Sequence, residues 1–262
     1  MLRAFSTSAT GMQAQQMIVD VIANNLANIN TTGFKKSQVD FQDLIYVKSE
    51  QAGNQSASGI VAPSGTEIGS GVRPASTLKV FSQGEMQNTG RTLDLAIEGD
   101  GFFQVVNAAG EVRYTRDGSF RVNSEGSVCN ADGFLLDPAI QIPAEASEVG
   151  IGQDGTVVAF VPGQAAPQAV GQITLARFAN PSGLTAEGRN ILAETDASGT
   201  PTTGTPGTEG LGTLQQGFLE KSNVQMVTEL VNLITAQRAY ETNSRSIKAG
   251  DEMLTTTNRL LG

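Results

Sequence analysis

The sequence predicts an α+β protein in which discontinuous N- and C-terminal coiled-coil-like helices flank an inserted antiparallel β-rich domain. Three observations carry this. At the C-terminal end Met226, Leu233, Tyr240, Ile247, Leu254 and Leu261 recur every seven residues; at the N-terminal end Phe5, Met12, Val19 and Leu26 do the same, with Ile22 and Ile29 three residues after the last two. An apolar stripe held over several heptads marks a helix that packs along a seam. Between the ends the apolar period falls to two, and turn dipeptides interrupt it.

The first element is a helix within residues 1–34. Asn30-Thr31-Thr32-Gly33 closes it, because these residues favour turns and Gly suits the left-handed position after a helix. Residues 35–76 read as an extended segment. Phe41, Leu44, Ile45 and Tyr46 form a small apolar patch in it, and residues 48–59 are polar, small and aperiodic. A stretch of that length without structure of its own is usually either functional or a disordered linker; ordering on a partner is the expectation, and a plain flexible linker is the alternative. Residues 77–196 form the β-rich domain, sandwich or barrel-like. Leu93, Leu95 and Ile97 alternate with Asp94, Ala96 and Glu98, and Phe102–Val106, Glu111–Thr115, Val157–Val161 and Gln172–Phe178 are further strands. Residues 197–221, rich in Pro, Gly and Thr, are an extended return. Residues 222–262 form the last helix. Ser222-Asn223-Val224-Gln225 matches a capping box at its start, Leu230 joins the apolar set, and Glu241 and Arg245 stand i,i+4.

Composition narrows the function. The chain of 262 residues carries 26 acidic and 17 basic side chains, for a formal charge of -9. No basic run is present, which argues against nucleic acid as a partner. The absence of His removes the commonest general base and metal ligand. Cys129, the one cysteine, cannot close an intramolecular disulfide and reads as a small buried hydrophobe. Asp94, Glu98 and Asp100 are the nearest thing to a carboxylate pair, but Asp94 and Glu98 read as a solvated polar strand face. No calcium loop, phosphate loop, CxxC or GxSxG pattern occurs. The sequence thus predicts no enzyme, no cofactor and no metal. No stretch approaches the ~20 apolar residues of a membrane span, and the start shows no cleaved secretory signal. From these features the protein is cytoplasmic or leaves the cell by a route that reads no cleaved signal.

Two long motifs carry a resemblance. Ala23-Asn24-Asn25-Leu26-Ala27-Asn28-Ile29-Asn30-Thr31-Thr32-Gly33-Phe34-Lys35 resembles the N-terminal signature of the flagellar rod and hook family. Gln237-Arg238-Ala239-Tyr240-Glu241-Thr242-Asn243-Ser244, with Glu229-Leu230-Val231-Asn232 before it, resembles the C-terminal one. Leu93–Phe103, Tyr114–Phe120, Gly210–Gly217 and the stretch ending Pro63-Ser64-Gly65 are most similar to the distal-rod branch of the family.

The resemblance implies a helical homopolymer, a hollow straight shaft that transmits torque from motor to hook. The terminal helices would pair as its inner tube around the export channel, with the β-domain outside. Residues from about Tyr46 to Gly69 would brace neighbouring subunits. Implied partners are further copies of the chain, proximal rod and hook subunits, the surrounding basal-body rings and the flagellar type III export apparatus. The shaft would span the periplasm in the basal body, without membrane insertion. Two other readings stand beside this one. Another axial subunit, proximal rod or hook, would share both signatures; a hook subunit would usually carry more outer sequence. A carbohydrate-active or carbohydrate-binding β-domain with helical arms would need a cleft with convergent polar groups.

Overall fold

The computed structural model describes residues 2–50, 55–56, 60–61, 65–163 and 166–261. The chain divides into two compact units, each assembled from separated pieces: Met1–Leu26, Ser37–Leu78 and Met226–Gly262 form the first, and Ala27–Lys36 with Lys79–Gln225 form the second.

The first unit contains α1 (Leu2–Ala27) and α2 (Met226–Leu261). The ring of Phe5 lies over Gly250, and Asn243 lies against Gly11, so the two helices run antiparallel. A Cβ on Gly250 would come within 2.8 Å of that ring, which is why the smallest residue stands there. Strand Ser37–Asp43 pairs with Val72–Lys79. Beyond them Val47–Glu50 pairs with Thr66–Ile68, and Gln55–Ser56 with Ile60–Val61. The stretch expected to be aperiodic thus carries short antiparallel pairs, while residues 51–54, 57–59 and 62–64 lie outside the described residues. Ile45, Tyr46, Val47 and Ile68 are exposed in or beside the Val47–Glu50 and Thr66–Ile68 pair.

The second unit is β-rich. Its largest sheet has the order Arg121–Val122, Val128–Cys129, Leu135–Asp137, Phe102–Val106, Val112–Thr115, Ile191–Ala193, Thr185–Gly188; Leu175–Arg177 bridges Phe102–Val106 to Thr202–Gly204. Glu148–Ile151, Thr156–Phe160 and Gln168–Gln172 make a second sheet. Leu95–Glu98 pairs with Thr213–Gln216, and Met86–Asn88 with Phe218–Glu220. The residues expected to be a plain return therefore contribute strands to this unit.

Alternation along Phe102–Val106 divides the core in two. Phe103 and Val105 enter one cluster with Leu95, Ile97, Phe120, Leu136, Leu175 and Leu214. Phe102 enters another, with Tyr114, Phe178 and Leu192. Edge-to-face ring pairs stiffen both: Phe103 on Phe120 at 5.1 Å, and Tyr114 on Phe178 at 4.7 Å. Cys129 is buried, as a small hydrophobe would be.

Two local expectations fail. Asp94 is not on a solvated face: it is fully buried, accepts a hydrogen bond from the Thr89 hydroxyl at 2.6 Å, and lies 3.7 Å from Arg91 Nε. Leu95, Ala96 and Ile97 are buried on both faces of their strand, so of the polar face read from alternation only Glu98 is exposed. Ser222 does not cap α2 either, because the helix begins four residues later; its hydroxyl instead accepts the Val224 N–H at 3.3 Å in a tight turn. The helix-opening pattern and the local turn use the same residue types.

Tyr114 gives this core a pH response. Its hydroxyl donates to Glu194 at 3.2 Å, and burial, with that carboxylate, pushes its pKa up to about 12. A phenol in an unfolded chain ionises near pH ~10. The folded value is the higher one, so Tyr114 contributes stability that is intact below pH ~10 and is lost as pH rises toward the folded value. Tyr114→Phe should therefore flatten the fall in urea midpoint between about pH 9 and 11. An unchanged slope would mean that Tyr114 ionises equally in both states.

Candidate functional site

The terminal helices hold the sequence-predicted assembly residues, and the structure buries them unevenly. On α1, Ile22 is buried, whereas Phe5, Met12, Val19, Leu26 and, just beyond the helix, Ile29 are half-buried. On α2, Leu233, Ile247 and Leu254 are half-buried, while Met226, Leu230 and Tyr240 are exposed; the side chain of Leu261 lies outside the described residues. The best-buried side chains of α2 are Glu229 and Ala236. These begin a second row, Glu229, Ala236, Asn243 and Gly250, which also recurs every seven residues. Its members are small or polar, so a search for apolar residues passes over it. Small residues let the helix axes approach, and Glu229 also meets the positive end of the helix dipole.

A further apolar face of α2 went unread. Val227, Val231 and Ile234 are 74%, 56% and 51% exposed. With Met226, Leu230 and Leu233 they make the first turns of α2 apolar nearly all round, a pattern that belongs to buried helices. The i, i+4, i+7 spacing of Val227, Val231 and Ile234 was the available signal.

The N-terminal signature performs two structural tasks. Within the first unit, Asn25 is buried and exchanges two hydrogen bonds of 2.9 Å with the backbone of Ser37. Asn24 is exposed, Leu26 and Asn28 are half-buried, and Asn28 accepts the Thr31 hydroxyl at 3.2 Å. Within the second unit, Ala27–Lys36 is a strap laid on the β structure, and Asn30 is exposed on it. The Thr32 hydroxyl donates to Asp117 at 3.1 Å, and the Asn190 amide donates to the Thr32 carbonyl at 3.0 Å. Gly33 has φ +66°, and its N–H donates to the Glu220 carbonyl at 2.8 Å; a Cβ there would meet the Asp117 nitrogen at 2.6 Å. Phe34 is buried with the Lys79 ammonium over its ring.

Lys35, the last residue of that signature, is buried. Its ammonium donates to Glu220 Oε1 at 2.6 Å and to the Ser82 carbonyl at 2.8 Å. Glu220 Oε1 also accepts the Gly84 N–H at 2.7 Å, and Arg116 Nη1 stands 3.5 Å from Oε2. Burial pushes the Lys35 ammonium below its usual range, and Glu220 opposes that shift. Burial likewise lowers Arg116, against Glu220 and Asp100.

Asn223 completes the network. Its Oδ1 accepts the Lys36 N–H at 2.8 Å, and its Nδ2 donates to the Val80 carbonyl at 2.8 Å, while Val80 N–H donates to the Lys36 carbonyl. Lys36, Val80 and Asn223 each lie within two residues of a point where the chain passes between units. Sequence reading missed the roles of Glu220, Arg116 and Asn223, because no local pattern announces partners 185, 104 and 187 residues away.

The C-terminal signature is mostly displayed. Gln237, Arg238, Tyr240 and Glu241 are exposed, and Ala239, Asn243 and Ser244 half-buried. Glu241 and Arg245 approach to 3.8 Å at the surface, a contact worth little on its own. Gln16, Val19, Gln237, Tyr240 and Glu241 line an open groove between the two helices. Among the described residues, no group of three or more His, Cys, Asp or Glu is placed to hold a metal ion, and no helix is long and apolar enough to cross a membrane.

Two helices that pack antiparallel, with the sequence of a β unit lying between theirs, define a protein whose middle is an insertion between paired helical segments. Residues 5–35 match the family described as flagella basal body rod protein, residues 96–159 the flagellar hook protein FlgE/F/G D1 domain, and residues 215–260 the flagellar basal body rod FlgEFG protein C-terminal family. The chain is 46% identical to the flagellar basal-body rod protein FlgG of Caulobacter vibrioides over 99% of both chains. It is 45% identical to that of Borreliella burgdorferi over 99% of both, and 40% identical to that of Bacillus subtilis over 97% of both. The chain belongs to the FlgG family of flagellar basal-body rod proteins, and its role is structural.

The buried ion pair makes a direct test possible. Lys35→Met and Glu220→Met should each destabilise the chain by about 3–5 kcal/mol, because each leaves a charge buried without its partner. The double substitution should cost less than the sum of the two. Urea unfolding of the four proteins measures this, and strict additivity would mean that the two groups are not coupled.

Proposed function

We propose that this chain is the subunit of the flagellar distal rod, polymerising helically into a hollow drive shaft that carries torque from motor to hook and encloses the export channel. The observation that carries the reading is the display of apolar side chains on α2. Met226, Val227, Leu230, Val231, Ile234 and Tyr240 are all at least 40% exposed in the single chain. Exposed apolar area of this kind marks an interaction surface. Head-to-tail contacts that do not close on themselves build helical filaments.

In this reading the coiled-coil-like pairing of α1 and α2 forms the inner layer of the shaft. Phe5, Met12, Val19, Ile22, Leu26, Ile29, Leu233, Ile247, Leu254 and Leu261 serve its seams. The β unit lies outside, and the segment from about Tyr46 to Gly69 braces neighbouring copies. The partners are further copies, the proximal rod and hook subunits, the basal-body rings and the type III export apparatus. The shaft stands in the periplasm, and the type III apparatus exports its subunits. Near-full-length similarity to FlgG proteins supports the distal-rod assignment over other axial subunits.

Leu233→Asp tests the seam. It places a carboxylate in a desolvated contact, at a cost of several kcal/mol if unpaired. The β unit should stay folded and no shaft should form; a swimming cell with normal rods would refute the seam. Deleting residues 48–62 tests the brace. A slack loop costs little to shorten, since closure entropy grows only with the logarithm of length. A brace acts off the shaft axis, where contacts resist bending most. The deletion should give rods that are curved or few by electron microscopy, and rods as straight and numerous as the parent's would reduce the segment to a linker.

A further inference from the structure

Within the second unit, Phe81, Asp100, Phe102, Arg116, Arg177 and Phe178 line a cavity of about 200 Å³. Ligand pockets for metabolites usually run to about 300–1,000 Å³, so this space suits a single side chain. Its walls are aromatic: Phe81 packs edge-on to Phe102 at 5.3 Å, and Phe102 on Phe178 at 5.8 Å. Its polar groups are two guanidinium ions and one carboxylate.

Both guanidinium ions are held in place with donors to spare. Arg116 is 5% exposed, stacks on Phe102 at 5.3 Å and donates from Nη2 to the Gly99 carbonyl at 2.9 Å. Its Nε is buried and has no hydrogen-bond partner. A buried donor left unpaired is costly, and such groups in native proteins call for an explanation. Arg177 is held by a backbone carbonyl, that of Glu209 at 3.0 Å, and among the described residues it makes no ion pair. Glu209 stands at φ +51°. That conformation is unfavourable for a residue with a side chain, and such strain collects where a geometry must be kept. Around the cavity, Glu220 and Asp100 offset Lys35 and Arg116, and the charge of Arg177 is left over.

We infer that this cavity receives a carboxylate side chain from a second copy of this chain. The inference rests on the reading that the chain self-assembles. A fixed guanidinium fork is the side chain best matched to a carboxylate. The chain has a formal charge of -9, so every further copy brings an excess of carboxylates, and cationic points on its surface are where like-charged copies can meet. Arg177 supplies the new hydrogen bonds at the cavity mouth. The aromatic walls keep water from the contact.

Electron cryomicroscopy of the polymer grown from the purified full chain tests this, alongside Arg177→Glu and Arg177→Lys. The expected result is a neighbouring Asp or Glu within hydrogen-bonding distance of Arg177. Arg177→Glu should raise the critical concentration for polymerisation about tenfold, the loss of one charged contact, and Arg177→Lys by less. Because Arg177 also donates to the Glu209 carbonyl within its own chain, the urea midpoint of each monomeric variant is measured as well, and the expected rise in critical concentration is one that persists where the monomer is fully folded. A polymer whose cavity is empty or holds only a free buffer anion overturns the inference while leaving self-assembly intact. So does a parent-like critical concentration for Arg177→Glu. Failure of the parent chain to polymerise under any condition overturns the self-assembly reading, and the inference with it.

Discussion

A carboxylate taken out of water must be matched by donors at hydrogen-bonding distance, and Glu220 is the group on which this molecule settles that requirement. Lys35 and the Gly84 N–H satisfy one oxygen, and Arg116 approaches the other. Each donor comes from a different stretch of chain. The strap that follows α1, the loop before Met86–Asn88, and the strand end at Arg116 are thereby fixed against the strand Phe218–Glu220. Replacing such a cluster with apolar side chains could give equal stability. What the ions add is register: only one placement of Lys35 puts its ammonium on Glu220 and its backbone neighbours on Asn223.

The helical unit follows a different rule. Its seam is made partly of small residues, and contact depends on closeness rather than on bulk. Phe5 over Gly250 is the clearest instance. The seam accounts for one side of α2 only. The first turns of that helix are apolar on other sides as well, and among the described residues these side chains stay exposed. The ends of the chain are thus incomplete as a solitary object, whereas the β unit, with two closed clusters and few exposed apolar side chains, is not.

Much of this was legible in sequence, and the reasons differ by element. The seven-residue stripes announced both helices because periodicity is a local property. The strands Phe102–Val106 and Val112–Thr115 were visible for the same reason. The motif from Asn24 to Phe34 identified the family without revealing what its residues do: Asn25 pins a strand, and Gly33 admits a close backbone contact. Asp94 was misread because alternation describes a sheet with one wet face, and its strand is buried on both. Glu220, Arg116 and Asn223 were invisible because their meaning lies in partners far along the chain. Arg177 looked like any surface arginine; only its carbonyl anchor and the unpaired Nε beside it distinguish the place.

Each unit is closed by its last piece. Lys35 and Glu220 are separated by 185 positions, and Phe5 waits for Gly250. Contacts between distant residues are reached late, because the intervening chain must be gathered before they reward it. A chain that emerges with its N-terminus first therefore carries an α1 without a seam and a strap without its carboxylate until nearly all of it has appeared. The connectivity acts as a timer: it keeps the partial chain soft and lets the finished one set.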